Sequence, residues 1–421
     1  EDDRVESRIT VGANNLFRLE RAFRDVLNYP HGCVEQVTSR CFPLYVLRKY
    51  AEFTGEHLKE GETADRYLRA GIDRLLSMQT ASGGLAGWPG GTEVYPYGSL
   101  YACHFLTLVR RDRELEVPEA GFRALQEYVR SLVTQAPGSG MSSDFMRAYA
   151  VYVLALDGDL WAINQIERFD AITLPRHARY LLAAALALNT GDTQRVTAYL
   201  ETMPHEPYLE REQGDTLNTE TRNTAIELLA LLQMKGDRSA VEERVAALLR
   251  HVEGGTRMTT QENAFVVSAL ASYFGSIDEM LGAVSGTISG PGGDAQVQGK
   301  DRYKHEQQGK GVAYTVVNTG QAPLIVNFIT AGIPTEPMED VAQGIAVRRI
   351  IKDETGTVVE NNKFQHGESY LVELHLKCPT NLKNVIVSDL LPAGFEIENP
   401  RLDANLPVAE QAEAGDTRGT A

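Results

Sequence analysis

Apolar residues recur at helical spacing from about residue 13 to about residue 275. Leu16, Leu19, Phe23, Val26 and Leu27 share one face, as do Leu68, Ile72, Leu75, Leu76 and Met78. Further runs extend over Tyr101 to Val109, Phe122 to Val133, Phe145 to Leu156, Arg179 to Leu188, Ile226 to Met234, Val241 to Leu249 and Ala264 to Tyr273. About a dozen helices are expected. They are punctuated by Ser82-Gly83-Gly84, Trp88-Pro89-Gly90-Gly91, Pro137-Gly138-Ser139-Gly140, Asp157-Gly158-Asp159 and Gly254-Gly255. Gly frees the backbone and Pro removes an N–H donor, so each cluster stops a helix. The spacing suggests helical hairpins repeating roughly every 40 to 50 residues. A closed ring of about six such hairpins is an α/α toroid. Its inner helices would be apolar nearly all round, as Ala183-Ala184-Ala185-Leu186-Ala187-Leu188 is, and its outer ones amphipathic, as Tyr67 to Met78 is.

From about residue 280 the period changes to two. Ala313 to Asn318 and Leu324 to Ile329 read as strands joined by Thr319-Gly320-Gln321-Ala322-Pro323. Strands are also expected over Ile345 to Ile351, Tyr370 to Leu376 and Val385 to Leu391, with a hairpin turn at Asp353-Glu354-Thr355-Gly356. The fold class is therefore multidomain α plus β: an α/α toroid followed by antiparallel β-sandwich domains. The first dozen residues read as a strand with no partner of its own.

A chain of 421 residues holds two or three domains. The net charge of −16 and the lack of a basic stripe argue against nucleic acid and anionic membrane surfaces. No apolar run reaches the length of about 18 residues that a bilayer span needs. The start Glu1-Asp2-Asp3-Arg4 is polar and unlike a signal peptide, which leaves secretion open. Cys33, Cys41, Cys103 and Cys378 form no disulfide framework. A Cys41–Cys103 bridge and two core thiols are both compatible with the sequence. No CxxC, HExxH or His-rich cluster appears, so neither metal nor cofactor is expected.

One segment carries chemistry. Gly32-Cys33-Val34-Glu35-Gln36 sets a thiol three residues before a carboxamide at a helix start. Residues at that spacing are neighbours on a helix, with Cβ atoms about 5–6 Å apart. A thiolate there can attack the carboxamide, expel ammonia and leave an internal thioester. The partial positive charge of the helix N-terminus would favour the thiolate. Spacing alone leaves the plainer reading open, a buried thiol beside a solvated Gln.

The wider segment Tyr29-Pro30-His31-Gly32-Cys33-Val34-Glu35-Gln36-Val37-Thr38-Ser39-Arg40 resembles the thioester segment of the bacterial alpha-2-macroglobulin family, within the macroglobulin and complement superfamily. Ser388-Asp389-Leu390-Leu391-Pro392-Ala393-Gly394-Phe395-Glu396-Ile397-Glu398-Asn399 resembles its tenth macroglobulin domain, and Thr259-Thr260-Gln261-Glu262-Asn263-Ala264 a late helix start of its thioester domain. The resemblance implies that residues 1–12 begin a small CUB-like β domain, 13–279 form the toroid, 280–337 return to the β domain and 338–421 are an incomplete MG10-like sandwich. It assigns the thioester to Cys33 and Gln36. Tyr29 and His31 would shield or assist that bond, with His31 standing where the bacterial branch often has Tyr. Glu35 would face away and solvate the helix start. Trp88, Tyr95 and Tyr97 would line the adjoining rim or pack in the core. A loop matching Gly138 to Asp144 contains no His, which implies a preference for amines over hydroxyls.

The function so implied is a covalent protease trap of single use, not a turnover enzyme, whose partners are the proteases it meets. A monomer in the periplasm or at the cell surface of a bacterium is expected, with any lipid anchor in a preceding segment. An adhesin with the same thioester is the alternative. A toroid enzyme of the terpene cyclase or prenyltransferase type shares the Met78-Gln79, Gly83-Gly84 and Trp88-Pro89-Gly90-Gly91 pattern, but no acid or zinc-ligand motif supports it.

Overall fold

The computed structural model describes residues 5–13, 15–113, 115–134, 141–169, 173–202, 205–206, 216–254, 257–277, 284–299, 302–309, 311–333, 340–342, 344–360, 363–379 and 387–398. It divides into two units, Glu1–Met338 and Glu339–Ala421.

In the first unit the helices are α1 (Glu20–Leu27), α2 (Val34–Leu47), α3 (Ala51–Gly55), α4 (Ala64–Leu76), α5 (Pro96–Asp112), α6 (Glu119–Thr134), α7 (Met141–Leu156), α8 (Leu160–Ile163), α9 (Arg176–Thr190), α10 (Thr193–Thr202), α11 (Glu220–Met234), α12 (Arg238–Glu253) and α13 (Thr260–Ile277). Local chemistry sets several ends. The Thr63 hydroxyl accepts the Arg66 N–H to open α4, Pro96 opens α5, and Gly191, at φ 64°, closes α9.

The helices α2, α5, α7, α9, α11 and α13 pack in sequence, and α13 returns to α2, which closes a ring. Most positions of these inner helices are buried; Tyr97 to Val109 in α5 and Gln261 to Ala271 in α13 are nearly continuous core. The outer helices α4, α6 and α12 bury only one stripe, for example Leu68, Gly71, Ile72 and Leu75 in α4. Close approach of α4 to α2 needs Gly71, where a Cβ would lie 2.3 Å from Cys41 Sγ.

The ring is filled. Tyr101 of α5 stacks on Phe265 of α13, with ring centroids 5.3 Å apart, although these helices are not neighbours in the ring. Phe42, His104, Phe145, Tyr149 and His177 occupy the remaining space between inner helices.

The strands of the first unit are β1 (Val5–Gly12), the short parallel pair β2 (Leu174–Pro175) and β3 (His205–Glu206), then β4 (Val284–Ser289), β5 (Ala295–Gly299), β6 (Arg302–Gln308), β7 (Thr315–Asn318) and β8 (Ile325–Gly332). Strand β1 sits between β6 and β8, both antiparallel, with Ile9 opposite His305 on one side and Phe328 on the other. A second sheet runs β5-β4-β7. Ile9, Val11, Val284, Ile288 and Val297 form a small core of their own. The first strand therefore finds both ladders some 300 residues downstream, beyond the helical ring. Ion pairs from Arg302 to Glu52 and Glu56, and from Arg8 to Glu20, fasten these strands to the helices.

The second unit carries the antiparallel pair β9 (Ala346–Asp353) and β10 (Tyr370–Lys377) and an aromatic cluster of Phe364, Tyr370 and Phe395. The turn after β9 places Gly356 at φ 83°, a left-handed conformation suited to glycine. The strand expected over Val385 to Leu391 is not formed in its described part: residues 387–391 run without ladder partners. Alternating apolar residues make a strand only where a neighbouring edge is free to pair. All four cysteines are free, with Cys41 and Cys103 in the core and Cys378 exposed, so no Cys41–Cys103 bridge forms.

Candidate functional site

Cys33 is the N-cap of α2, with extended backbone (φ −71°, ψ 169°). Its sulfur accepts the Gln36 backbone N–H, and its own N–H donates to Gln36 Oε1 at 3.1 Å. This is a capping box with Cys in the place of Ser or Thr. The reciprocal bonds close Cys33 and the Gln36 side chain into one turn, and set a backbone donor on the carboxamide oxygen, which would gain charge if the sulfur attacked. Val34 N–H donates to the Gly87 carbonyl at 3.0 Å, which pins the turn to the loop before α5. Both Cys33 and Gln36 are half-buried.

The thiol is not held as a thiolate. Burial pushes the Cys33 pKa up from its ordinary value, the Gln36 N–H pulls it down, and the Glu35 charge raises it further. The expectation that the helix N-terminus would win is corrected here. Backbone dipoles favour the thiolate only at short range, and desolvation outweighs them.

Glu35 also departs from expectation. It does not face solvent but lies 5% exposed inside the ring. Its carboxyl accepts from Ser39 Oγ at 2.6 Å and, with both oxygens, from Thr260 Oγ1 at 3.0 Å. Burial raises its pKa, and the two hydroxyl donors lower it in part. The i,i+4 spacing of Glu35 and Ser39 directs both inward once α2 becomes an inner helix, which the local sequence does not announce.

Tyr97 is fully buried and its hydroxyl accepts from Arg222 Nη1 at 3.2 Å, so it belongs to the core behind the site, with its pKa pushed up to about 12 by burial. Tyr29 is half-buried and meets His31 edge-on, ring centroids 5.6 Å apart; its carbonyl accepts from Arg40 Nη1 at 3.3 Å. His31 is exposed. Tyr95 is half-buried and Trp88 is exposed. Of the segment Gly138 to Asp144, residues 138–140 lie outside the described residues and 141–144 form the first turn of α7.

Sequence reasoning missed Arg222. It is fully buried in α11 and donates to Tyr97, the Thr216 carbonyl, Gln261, Asn218 and Asn223. Its guanidinium also faces the Phe145 ring at 5.1 Å. With Tyr97 on α5, Phe145 on α7 and Gln261 on α13, it joins the N-terminal ends of helices from across the ring. The only pointer was the segment Thr259 to Ala264, which contains both Thr260 and Gln261. Among the described residues, no group of acidic, His and Cys side chains is placed to hold a metal ion, and no helix is long and apolar enough to cross a membrane.

Comparison with known proteins follows the same division. The bacterial alpha-2-macroglobulin MG10 domain matches residues 344–418. The alpha-2-macroglobulin of Xylella fastidiosa strain Temecula1 is 27% identical over 464 aligned residues, covering 99% of this chain and 27% of that protein. The fold is similar to native alpha-2-macroglobulin from Escherichia coli, solved from domain MG7 to the C-terminus, with a TM-score of 0.70, 22% identity, and coverage of 98% of this chain and 65% of that one. It is also similar to Salmonella alpha-2-macroglobulin reacted with methylamine, with a TM-score of 0.68, 24% identity, and coverage of 96% and 26%. The chain spans about a quarter of the length of the curated relative. From the first strand to the MG10 domain, the chain is similar in sequence and fold to the C-terminal region of bacterial alpha-2-macroglobulins.

Proposed function

We propose that Cys33 and Gln36 form an internal thioester and that this region is the reactive part of a protease trap. The observation that carries the reading is the capping box. The sulfur and the carboxamide meet in one turn, and the Cys33 N–H sits 3.1 Å from the carboxamide oxygen. Attack of sulfur on Gln36 Cδ places negative charge on that oxygen, where the N–H donates to it. The C–N bond then breaks, the amide nitrogen takes the thiol proton and leaves as ammonia, and a C–S bond remains. No cofactor takes part; proximity within a fixed turn supplies the rate.

The same site then works once as an acylating agent. A nucleophile, such as a Lys amine of a protease, attacks Cδ and releases the Cys33 thiol. One structural neighbour is described as Salmonella alpha-2-macroglobulin reacted with methylamine, which agrees with an amine-sensitive bond. We also propose that β1 and strands β4 to β8 form one small domain interrupted by the helical ring, and that the protein works outside the cytoplasm, in the periplasm or at the surface. The bait that a protease would cut is sought outside this chain.

The test is direct. Intact mass is expected to fall short of the sequence mass by one ammonia. Methylamine is expected to add at Gln36 Cδ, leaving an N-methylamide one CH2 heavier than the sequence mass, and to free one thiol. Cys33→Ala is expected to abolish both and keep its helical signal. A methylamine adduct in the Cys33→Ala protein would overturn the assignment.

A further inference from the structure

The carboxyl of Glu35 sits two residues from Cys33, turned into the ring and held from two elements. Ser39 reaches it from the next turn of α2 and Thr260 from the first turn of α13, 225 positions away in the chain. The groups around it are Cys33 on its own helix, Tyr97 and Tyr101 on α5, Thr260 on α13 and, one layer further, Arg222 of α11 through Tyr97 and Gln261. The Ser39 hydroxyl also meets Tyr101 Oη at 3.3 Å. Among the described residues no cationic side chain forms an ion pair with Glu35. A buried carboxyl without an ion-pair partner is costly where an apolar side chain would pack as well, so its position beside the reactive pair calls for a role.

We propose that Glu35 is a positioning residue that keeps the Cys33–Gln36 bond closed: it pins the first turn of α2 to α13 and sets a negative charge behind the sulfur that must depart. This rests on the thioester reading above. When an amine opens the bond, its nitrogen lone pair attacks Gln36 Cδ and an N–C bond forms. The C–S bond breaks, sulfur leaves with the electron pair as thiolate, and the proton of the new ammonium passes to it. A carboxylate beside that sulfur disfavours the thiolate and so slows the opening. Burial raises the Glu35 pKa overall, and the Ser39 and Thr260 hydroxyls offset part of that rise while they fix the carboxyl in place.

The experiment compares the parent chain with Glu35→Gln, both carrying Cys378→Ser, because Cys378 is exposed while Cys41 and Cys103 are buried. Two quantities are read. One is the rate of thiol release by methylamine. The other is the pH midpoint for iodoacetamide alkylation of freed Cys33, located by peptide mass mapping. Glu35→Gln is expected to lower the midpoint by about half a pH unit or more and to speed opening about threefold or more. A purely structural Glu35 would move the urea midpoint and leave the alkylation midpoint in place. A folded Glu35→Gln protein whose alkylation midpoint and opening rate match the parent overturns the proposal.

Should Glu35→Gln fail to fold, Thr260→Val decides. It keeps the charge and removes one donor, so Glu35 takes up its proton at higher pH, and the pH step in the opening rate is expected to move upward; an unmoved step overturns the proposal. A parent chain with no ammonia deficit and no methylamine adduct sinks the thioester reading instead, while alkylation of the free Cys33 thiol still reports on Glu35.

Discussion

Gly98 tests how tightly the ring holds the reactive turn. It lies in the first turn of α5, against the first turn of α2. A Cβ at this position would stand 2.5 Å from Val34 Cγ1 and 2.6 Å from Tyr95 Cδ1. Carbon atoms pack at about 3.5–4.0 Å, so each neighbour must retreat by about 1 Å. Tyr95 is half-buried and packs against Tyr97. Val34 has no room to retreat: it is fully buried, β-branched and stiff at χ1, with Cys33 before it, Glu35 after it and its N–H on Gly87. Two terms oppose one another in Gly98→Ala. Helix propensity favours Ala by about 1 kcal/mol, and overpacking costs about 1–3 kcal/mol. The expected net effect is a loss of about 1–2 kcal/mol, with the first turn of α2 displaced and the capping box loosened. Urea unfolding measures the first effect, and the rate of methylamine-induced thiol release measures the second. Gly55→Ala is the control, since a Cβ there meets nothing within 4 Å. If Gly98→Ala were as stabilising as Gly55→Ala, with thiol release unchanged, the inference that α5 braces the reactive turn would be refuted.

The other predictions concern the core behind the site. Arg222→Met is expected to lower stability by about 3 kcal/mol or more, because Thr216, Gln261, Asn218 and Asn223 lose a donor at once; a parent-like urea midpoint would show that water serves these acceptors. Acid is expected to destabilise the ring from about pH 6.5 downward. Burial pushes the His104 pKa down to about 3 and that of His57 to about 4, and holds His177 well below its ordinary value. These groups stay neutral in the fold and take up protons when unfolded, so the stability they give is complete above about pH 6.5 and is lost as pH falls toward their folded values. Glu35, whose pKa is raised, opposes this trend as a single group. Urea midpoints between pH 6.5 and 5, above the range of ordinary carboxylates, check the sign, and a flat profile there would count against it.

Much of the chain was legible from its pattern. Helical spacing identified α1, α4 to α7, α9 and α11 to α13, because each either repeats an apolar stripe or is apolar throughout, and α2 was read from its start at Cys33. Short helices such as α3 and α8 escaped, since four or five residues cannot show a period. Strands β7 to β10 followed from alternation, whereas Val387 to Leu391 alternates without a partner edge. The pairing of β1 with β6 and β8 was beyond periodicity, because hydrogen-bond partners so far downstream leave no local trace.

At the site, the sequence by itself determined that the Cys33 thiol and the Gln36 carboxamide share one turn. Three-residue spacing at a helix start is local geometry, and the capping box follows from it. Tertiary structure decided everything around that pair. Closing the ring turned α2 into an inner helix, and this alone moved Glu35 from an expected solvated face to a buried clamp with Thr260. The same closure brought Arg222 of α11 beneath Tyr97 of α5. Burial then raised the Cys33 thiol against the pull of its own helix. Dihedral preference and spacing act over a few residues and are written in the chain; desolvation and long-range hydrogen bonds exist only once distant helices share one interior.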